Sequence, residues 1–150
     1  MVVKSVQIEG TNVSGVFIVR DAMSKAIKSV RPTSSAHEAI EKMVKFNVGS
    51  ILVMDGDKLH GIITERDIIV RIAEECMDSR AVQAKEIMSR PVLTVDENTT
   101  LEEAARIMSK KNIKKLVVTR EGKVLGVLTT TDIVRKSPQL IELIGKQQEE

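Results

Sequence analysis

Residues 20–69 align with residues 85–134 at a constant offset of 65 and without a gap. Fourteen of the fifty aligned pairs are identical, against about three expected at average residue usage. The identities include Met23/Met88, Glu38/Glu103, Asn47/Asn112, Gly61/Gly126, Thr64/Thr129 and Asp67/Asp132. A repeat of this period is a duplicated supersecondary unit. One unit of about fifty residues is marginal alone, so the two copies are expected to share a core.

Each copy follows one plan. Arg20–Met23 and Lys85–Met88 read as a helical turn leading into an extended piece, Ile27–Val30 or Val92–Val95. Ser35-x-x-Glu38 and Thr100-x-x-Glu103 then predict capping boxes, with hydroxyl and carboxylate each satisfying an orphan amide at a helix start. Ala36, Ala39, Ile40 and Met43, and Leu101, Ala104, Ala105 and Met108, recur at helical spacing and predict one buried stripe per helix. Two strands follow, Ile51–Met54 with Leu59–Thr64 and Leu116–Thr119 with Val124–Thr129, each pair joined by a tight glycine-containing turn. Each copy closes on a strand-to-helix corner. One is Gly61-Ile62-Ile63-Thr64-Glu65-Arg66-Asp67-Ile68; its mate is Gly126-Val127-Leu128-Thr129-Thr130-Thr131-Asp132-Ile133.

The chain therefore divides into an arm at 1–19, a first unit at 20–77, a linker at 78–84, a second unit at 85–136 and a tail helix at 137–150. Within the arm, Val16–Val19 predicts a short buried strand. In the tail, Pro138 suits a first helical position, and Leu140, Ile141, Leu143 and Ile144 form an amphipathic stretch. Phe17 and Phe46 are the only aromatic residues, so the core must be aliphatic, with Met23, Met43, Met54, Met77, Met88 and Met108 filling it.

Function classes fall away on composition. A net charge of +2 with both signs interspersed, and no stacking aromatics, disfavour nucleic acid. No apolar run approaches the roughly 18 residues of a membrane span, and Met1–Gly10 lacks the apolar region of a signal peptide. With the lone Cys76, this points to a cytoplasmic protein without a membrane partner. His37, His60 and Cys76 show no metal-ligand spacing, and no nucleophile–base–orienter set is visible, so neither metal site, cofactor nor enzyme activity is expected.

The β-α-β-β-α order, its tandem duplication and the closing Gly-h-h-Thr-x-x-Asp (h, apolar) resemble the cystathionine-β-synthase (CBS) domain pair. The resemblance covers residues 20–135 and rests on the D/E-x-Met near each start, Asn47 and Asn112, the glycine turns and the closing corners. It implies an α/β fold of two units packed sheet to sheet with pseudo-twofold symmetry, and a homodimer of such pairs. It further implies a regulatory module for an adenosine-containing ligand (AMP, ADP, ATP or an S-adenosylmethionine-like molecule), held in clefts between the units and acting on an unidentified regulated protein. The apolar ends flanking the pair suggest that arm or tail transmits the change. The family slot for adenine would draw Ile27, Asn47 and Val48 towards Asp132, and Val92, Asn112 and Ile113 towards Asp67. Gly49-Ser50 against Lys114-Lys115 is a departure between the copies, so the two clefts need not be equivalent.

The corners carry suitable chemistry. An ionised carboxylate accepts both hydroxyls of a ribose in charge-assisted hydrogen bonds, a role open to Asp67 and Asp132. Thr64 and Thr129 can donate to ribose or phosphate oxygens, and the following helix start favours anions. Arg66 adjoins Asp67; Thr131 holds the matching place beside Asp132, where Lys114 and Lys115 would supply the cation instead. Thr-x-x-Asp before a helix is also a cap that stabilises by about 1 kcal/mol with no ligand. The alternative to a sensor is accordingly a structural dimerisation or protein-interaction module whose clefts stay empty.

Overall fold

Ser35 and Thr100 start the two long helices alike, each hydroxyl oxygen accepting the amide three residues on, at 3.0 and 3.1 Å. The structure is a computed structural model describing residues 7–8, 11–12 and 16–145; the rest of the arm and of the tail lies outside the described residues. Its elements are β1 (Gln7–Ile8), β2 (Thr11–Asn12), β3 (Ser29–Val30), α1 (Ala36–Phe46), β4 (Ser50–Asp55), β5 (Lys58–Thr64), α2 (Glu65–Ile68), α3 (Ala84–Ile87), β6 (Thr94–Asp96), α4 (Leu101–Lys111), β7 (Lys115–Arg120), β8 (Lys123–Thr129), α5 (Thr130–Lys136) and α6 (Ile141–Gly145). Only the hydroxyl half of each expected capping box forms at α1 and α4. Glu38 turns instead to Lys42 at 3.7 Å, and Glu103 to Arg106 at 3.8 Å.

Two similar three-stranded sheets result. In one, β3 runs parallel to β4 and β4 antiparallel to β5, with Ser29 opposite Leu52 and Ile51 opposite Ile63. In the other, β6 is parallel to β7 and β7 antiparallel to β8, with Val95 opposite Val118 and Leu116 opposite Leu128. The hairpin turns differ. Gly56 alone has positive φ (62°) in the first, whereas Glu121 and Gly122 both do (50° and 83°) in the second, the two patterns that II′ and I′ turns require. This is the expected α/β duplication.

The compact units do not follow the sequence repeats. One, the central unit, is Ile27–Val92; the other, the split unit, joins the residues up to Ala26 to those from Leu93 onward. Each opening segment thus packs with the other copy's sheet. Ala84, Ile87 and Met88 enter the cluster formed by Val30, Ala39, Met43, Ile51, Val53 and Ile63. Val19 enters that of Val95, Leu101, Met108, Leu116, Leu128 and Ile133. Burial of each large apolar side chain contributes about 1.5–3 kcal/mol, so these segments are parts of the folds they join. Residues of both copies therefore contribute to the buried cluster of each unit.

Three local expectations are corrected. Val16–Val19 is not a strand: only Ile18 forms a bridge, to Thr100, before the chain enters a 3-10 turn at Val19–Asp21. Asp21 Oδ2 accepts the Ile18 amide at 2.8 Å and closes that turn. Met77 is 47% exposed, because the π-helix Ile69–Ala73 that continues α2 gives way to a turn in which Cys76 has φ 56°, and the chain leaves the apolar stripe. Met23 and Met54 are half-buried, while Met43, Met88 and Met108 are core residues. In the tail, Pro138 opens a 3-10 turn before α6, where Ile144 is buried and Ile141 is 54% exposed.

The motif glycines are the seats of the crossing segments. Ser89 and Ile62 exchange backbone hydrogen bonds of 2.8 and 3.1 Å across Gly61; Ser24 and Val127 exchange 2.8 and 2.9 Å bonds across Gly126. A Cβ on Gly61 would lie 2.7 Å from Met88 Sδ and 2.9 Å from the Ser89 carbonyl, and one on Gly126 would overlap the Ser24 carbonyl oxygen. Met88 can swing away; a backbone carbonyl cannot. Gly126→Ala is therefore expected to lower stability by about 3 kcal/mol and Gly61→Ala by about 1–2 kcal/mol, read from urea unfolding.

Candidate functional site

The closing motif of each copy folds into a complete capping box. Thr64 Oγ1 accepts the Asp67 amide at 3.2 Å, and Asp67 Oδ2 accepts the Thr64 amide at 2.9 Å. At the second corner the matching distances are 3.1 and 2.9 Å between Thr129 and Asp132. One carboxylate oxygen of each aspartate is thereby committed to starting α2 or α5. What the corner can do further depends on the other oxygen.

The two corners part there. Asp67 is 5% exposed, and its Oδ1 accepts the Ser89 hydroxyl at 2.7 Å with Arg71 Nε 3.7 Å away. Arg71 is held in turn by the Met88 carbonyl at 3.1 Å. In the split unit the equivalent serine, Ser24, accepts the Ala26 amide at 3.2 Å, and Lys136, at the place of Arg71, lies 5.2 Å from the centre of the Phe17 ring. Asp132 is only half-buried, and among the described residues its Oδ1 accepts no hydrogen bond. Lys115 is the cation that acts on it. Burial pulls the Lys115 ammonium below its ordinary pKa, and the negative charge of Asp132 partly holds it up. In the central unit the same position is the buried Ser50, with no charge to offer.

The loops before β4 and β7 are brought beside the corners of their own units. Asn47 and Asn112 end α1 and α4 in left-handed conformation, φ 53° and 54°, the geometry that asparagine tolerates best after glycine. The turns they make let Gly49 O accept the Glu65 amide and Lys114 O accept the Thr130 amide, each at 3.1 Å. Asn47 and Val48 line a cleft of about 610 Å³ with Ile40, Met43, Glu65 and Ile68. Asn112, Lys114 and Thr131 are exposed, and Ile113 is half-buried, within the unit that carries Thr129 and Asp132. Arg66 is exposed, and Ile27 and Val92 half-buried, within the unit that carries Thr64 and Asp67. Ser89 and Arg71 belong to no local motif of the sequence. The Ser24/Ser89 identity within the repeat was the signal that could have flagged the serine.

Among the described residues no three His, Cys, Asp or Glu side chains converge as a metal site would need, and no helix is long and apolar enough to cross a membrane.

The sequence matches the CBS domain twice, over residues 19–74 and 84–138. An uncharacterized protein of Methanopyrus kandleri is 36% identical over 118 residues, covering 77% of this chain and 60% of its own length. A conserved protein of Pyrococcus horikoshii, whose crystal structure covers 87% of this chain and 95% of its own, is similar at 30% identity with a TM-score of 0.73. A hexameric CBS-CP12 protein from bloom-forming cyanobacteria is 25% identical with a TM-score of 0.71, over 81% of this chain and 68% of its own. The chain belongs to the CBS domain family and carries its domains as a tandem pair. Proteins of this kind are generally regulatory modules.

The asymmetry predicts a stability difference that needs no ligand. Asp67→Ala removes the cap and also strands Ser89 and Arg71, at about 3 kcal/mol; Asp132→Ala removes the cap and the charge that supports the partly exposed Lys115, at about 1–2 kcal/mol. Urea unfolding of the two variants checks the order.

Proposed function

We propose that the chain is a cytoplasmic regulatory module that binds an adenosine-containing ligand (AMP, ADP, ATP or an S-adenosylmethionine-like molecule), chiefly at the corner built by Thr129 and Asp132. The carrying observation is the uncommitted oxygen of Asp132 with the Lys115 ammonium acting on it. In this reading Asp132 accepts the ribose hydroxyls, Thr129 and Thr131 assist, Lys114 and Lys115 meet phosphate, and Asn112 with Ile113 borders the base. The corner of Thr64, Arg66 and Asp67, with Ile27, Asn47, Val48 and Val92, is the weaker site, because a ribose there must displace Ser89 from Asp67. The ligand is a regulator and not a cofactor, and acts only in so far as it binds two states of the module with different affinity.

Calorimetric titration with AMP, ADP, ATP and S-adenosylmethionine tests this. Asp132→Ala is expected to weaken binding at least about tenfold, and Asp67→Ala distinctly less. The reverse order, or no binding of any of the four, overturns it. The chain has no Trp and no Tyr, so copurified adenine would also dominate its near-ultraviolet absorbance.

A second reading, self-association, rests on a separate observation. On α1 and the helix continuing α2, Val44 is 76% exposed, Ile69 61%, Phe46 39% and Val70 36%. In the split unit the position of Ile69 is Val134, which is half-buried against the cluster that includes Ile144 of α6. An apolar face left open on one unit and covered on the other suits a second copy of the chain, as the hexameric cyanobacterial relative illustrates. Sedimentation is expected to show a wild-type dimer that Ile69→Glu converts to monomer; a monomeric wild type overturns this.

A further inference from the structure

Glu97 is a buried carboxylate, 4% exposed, clamped by Arg120 through two hydrogen bonds and by Arg20 at 3.3 Å. The Arg120 hydrogen bond, aided by Arg20, holds its carboxyl below the usual carboxylate range against the opposing effect of burial. At the repeat offset, Arg20, Glu97 and Arg120 correspond to Lys85, Pro32 and Asp55. The central unit has thus kept a cation where Arg20 stands and lost the carboxylate that it would clamp. Around the loss, further positions have changed: Arg31 replaces Asp96, Arg90 replaces Lys25, and His60 replaces Leu125.

These residues share one cleft of about 620 Å³, lined by Arg31, Pro32, Asp55, His60, Lys85 and Arg90 among others. It lies at the Asp55/Lys58 end of the hairpin, whereas the corner lies at the Ser50/Thr64 end. Among the described residues Arg31, Lys85 and Arg90 form no ion pair. Three cations against the one carboxylate of Asp55 leave an excess of two positive charges. Independently, His60 Nε2 is buried and, among the described residues, has no hydrogen-bond partner.

We propose that this cleft binds a phosphoryl anion, either inorganic phosphate or the phosphate of a small monoester, in the place that the Glu97 carboxylate holds in the other unit. A phosphate group carries about −1.5 to −2 charges near neutral pH, which matches the excess. Arginine presents paired donors to phosphate oxygens, and Lys85 adds a point charge. His60, in the lining of the cleft, senses its occupant. The volume exceeds that of phosphate alone and leaves room for an ester substituent, while Asp55 disfavours a second anionic group.

The test is a nuclear magnetic resonance titration of the whole chain with inorganic phosphate and, separately, glycerol phosphate, at constant ionic strength, reading the His60 imidazole. Saturable shifts of His60 are expected, and the tighter of the two anions tells free phosphate from a monoester. Arg31→Ala and Lys85→Ala should each weaken binding by about tenfold, while Lys110→Ala, removing an exposed lysine elsewhere, should not. Pro32→Glu restores an internal carboxylate and should abolish it; should that variant fail to fold, Arg31→Ala, at an exposed position, carries the test. No saturable shift of His60 overturns the proposal. So does a shift that Arg31→Ala and Lys85→Ala leave unchanged, or a phosphate response confined to Thr129–Asp132.

Discussion

The structure depends on two places where one stretch of backbone lies directly on another. Ser89 crosses Gly61 and Ser24 crosses Gly126, each through a reciprocal pair of backbone hydrogen bonds, and neither crossing leaves room for a Cβ. These contacts tie the opening of each repeat to the sheet of the other copy and bring Ile87, Met88 and Val19 into its core. The crossing at Gly61 also carries Ser89 to Asp67. The glycine that looks like part of a binding signature is first a packing requirement, and the serine reaches its place only because the glycine permits it.

Capping and binding are not rival uses of the corner aspartates, because a carboxylate has two oxygens. The first starts a helix in both copies at the same distance. The second is where duplication has diverged: Ser89 and Arg71 close on Asp67, while Ser24 turns to Ala26 and Lys136 to Phe17. The same divergence runs through the pair at Glu97 and Pro32, and at Ile69 and Val134. In each case one copy satisfies a group internally and the other leaves it open. A duplicated scaffold tolerates such changes because the backbone hydrogen bonds at the crossing do not depend on the side chains that differ.

Much of this was legible in the residues. The offset of 65 placed both helices, both hairpins and both corners, since Ser35, Thr100 and the glycine turns mark boundaries through local chemistry. The cores followed from periodicity, as Ala39 and Met43 or Ala104 and Met108 show. What stayed hidden was long-range. Aligning a repeat with itself reveals what a segment is, but not which copy it packs against, so the crossing was out of reach. Glu38 and Glu103 had the spacing of capping boxes but found lysine and arginine one turn on. Ser89 and Arg71 lie 22 and 4 residues from Asp67, and only the fold shows that they meet at one oxygen.

The interleaving also orders events at the ribosome. A chain made from its N-terminus has all of Ile27–Val92 before any of the segment from Leu93 onward, so the central unit can close while synthesis continues. Residues 16–26 cannot do the same. Val19, fully buried in the finished protein, waits with its neighbours for Leu101, Leu116 and Leu128 to emerge, and Ser24 waits for Val127. During that interval a stretch made before the central unit is covered only after it, held to a folded neighbour by its own chain and exposing apolar surface to whatever meets the nascent protein.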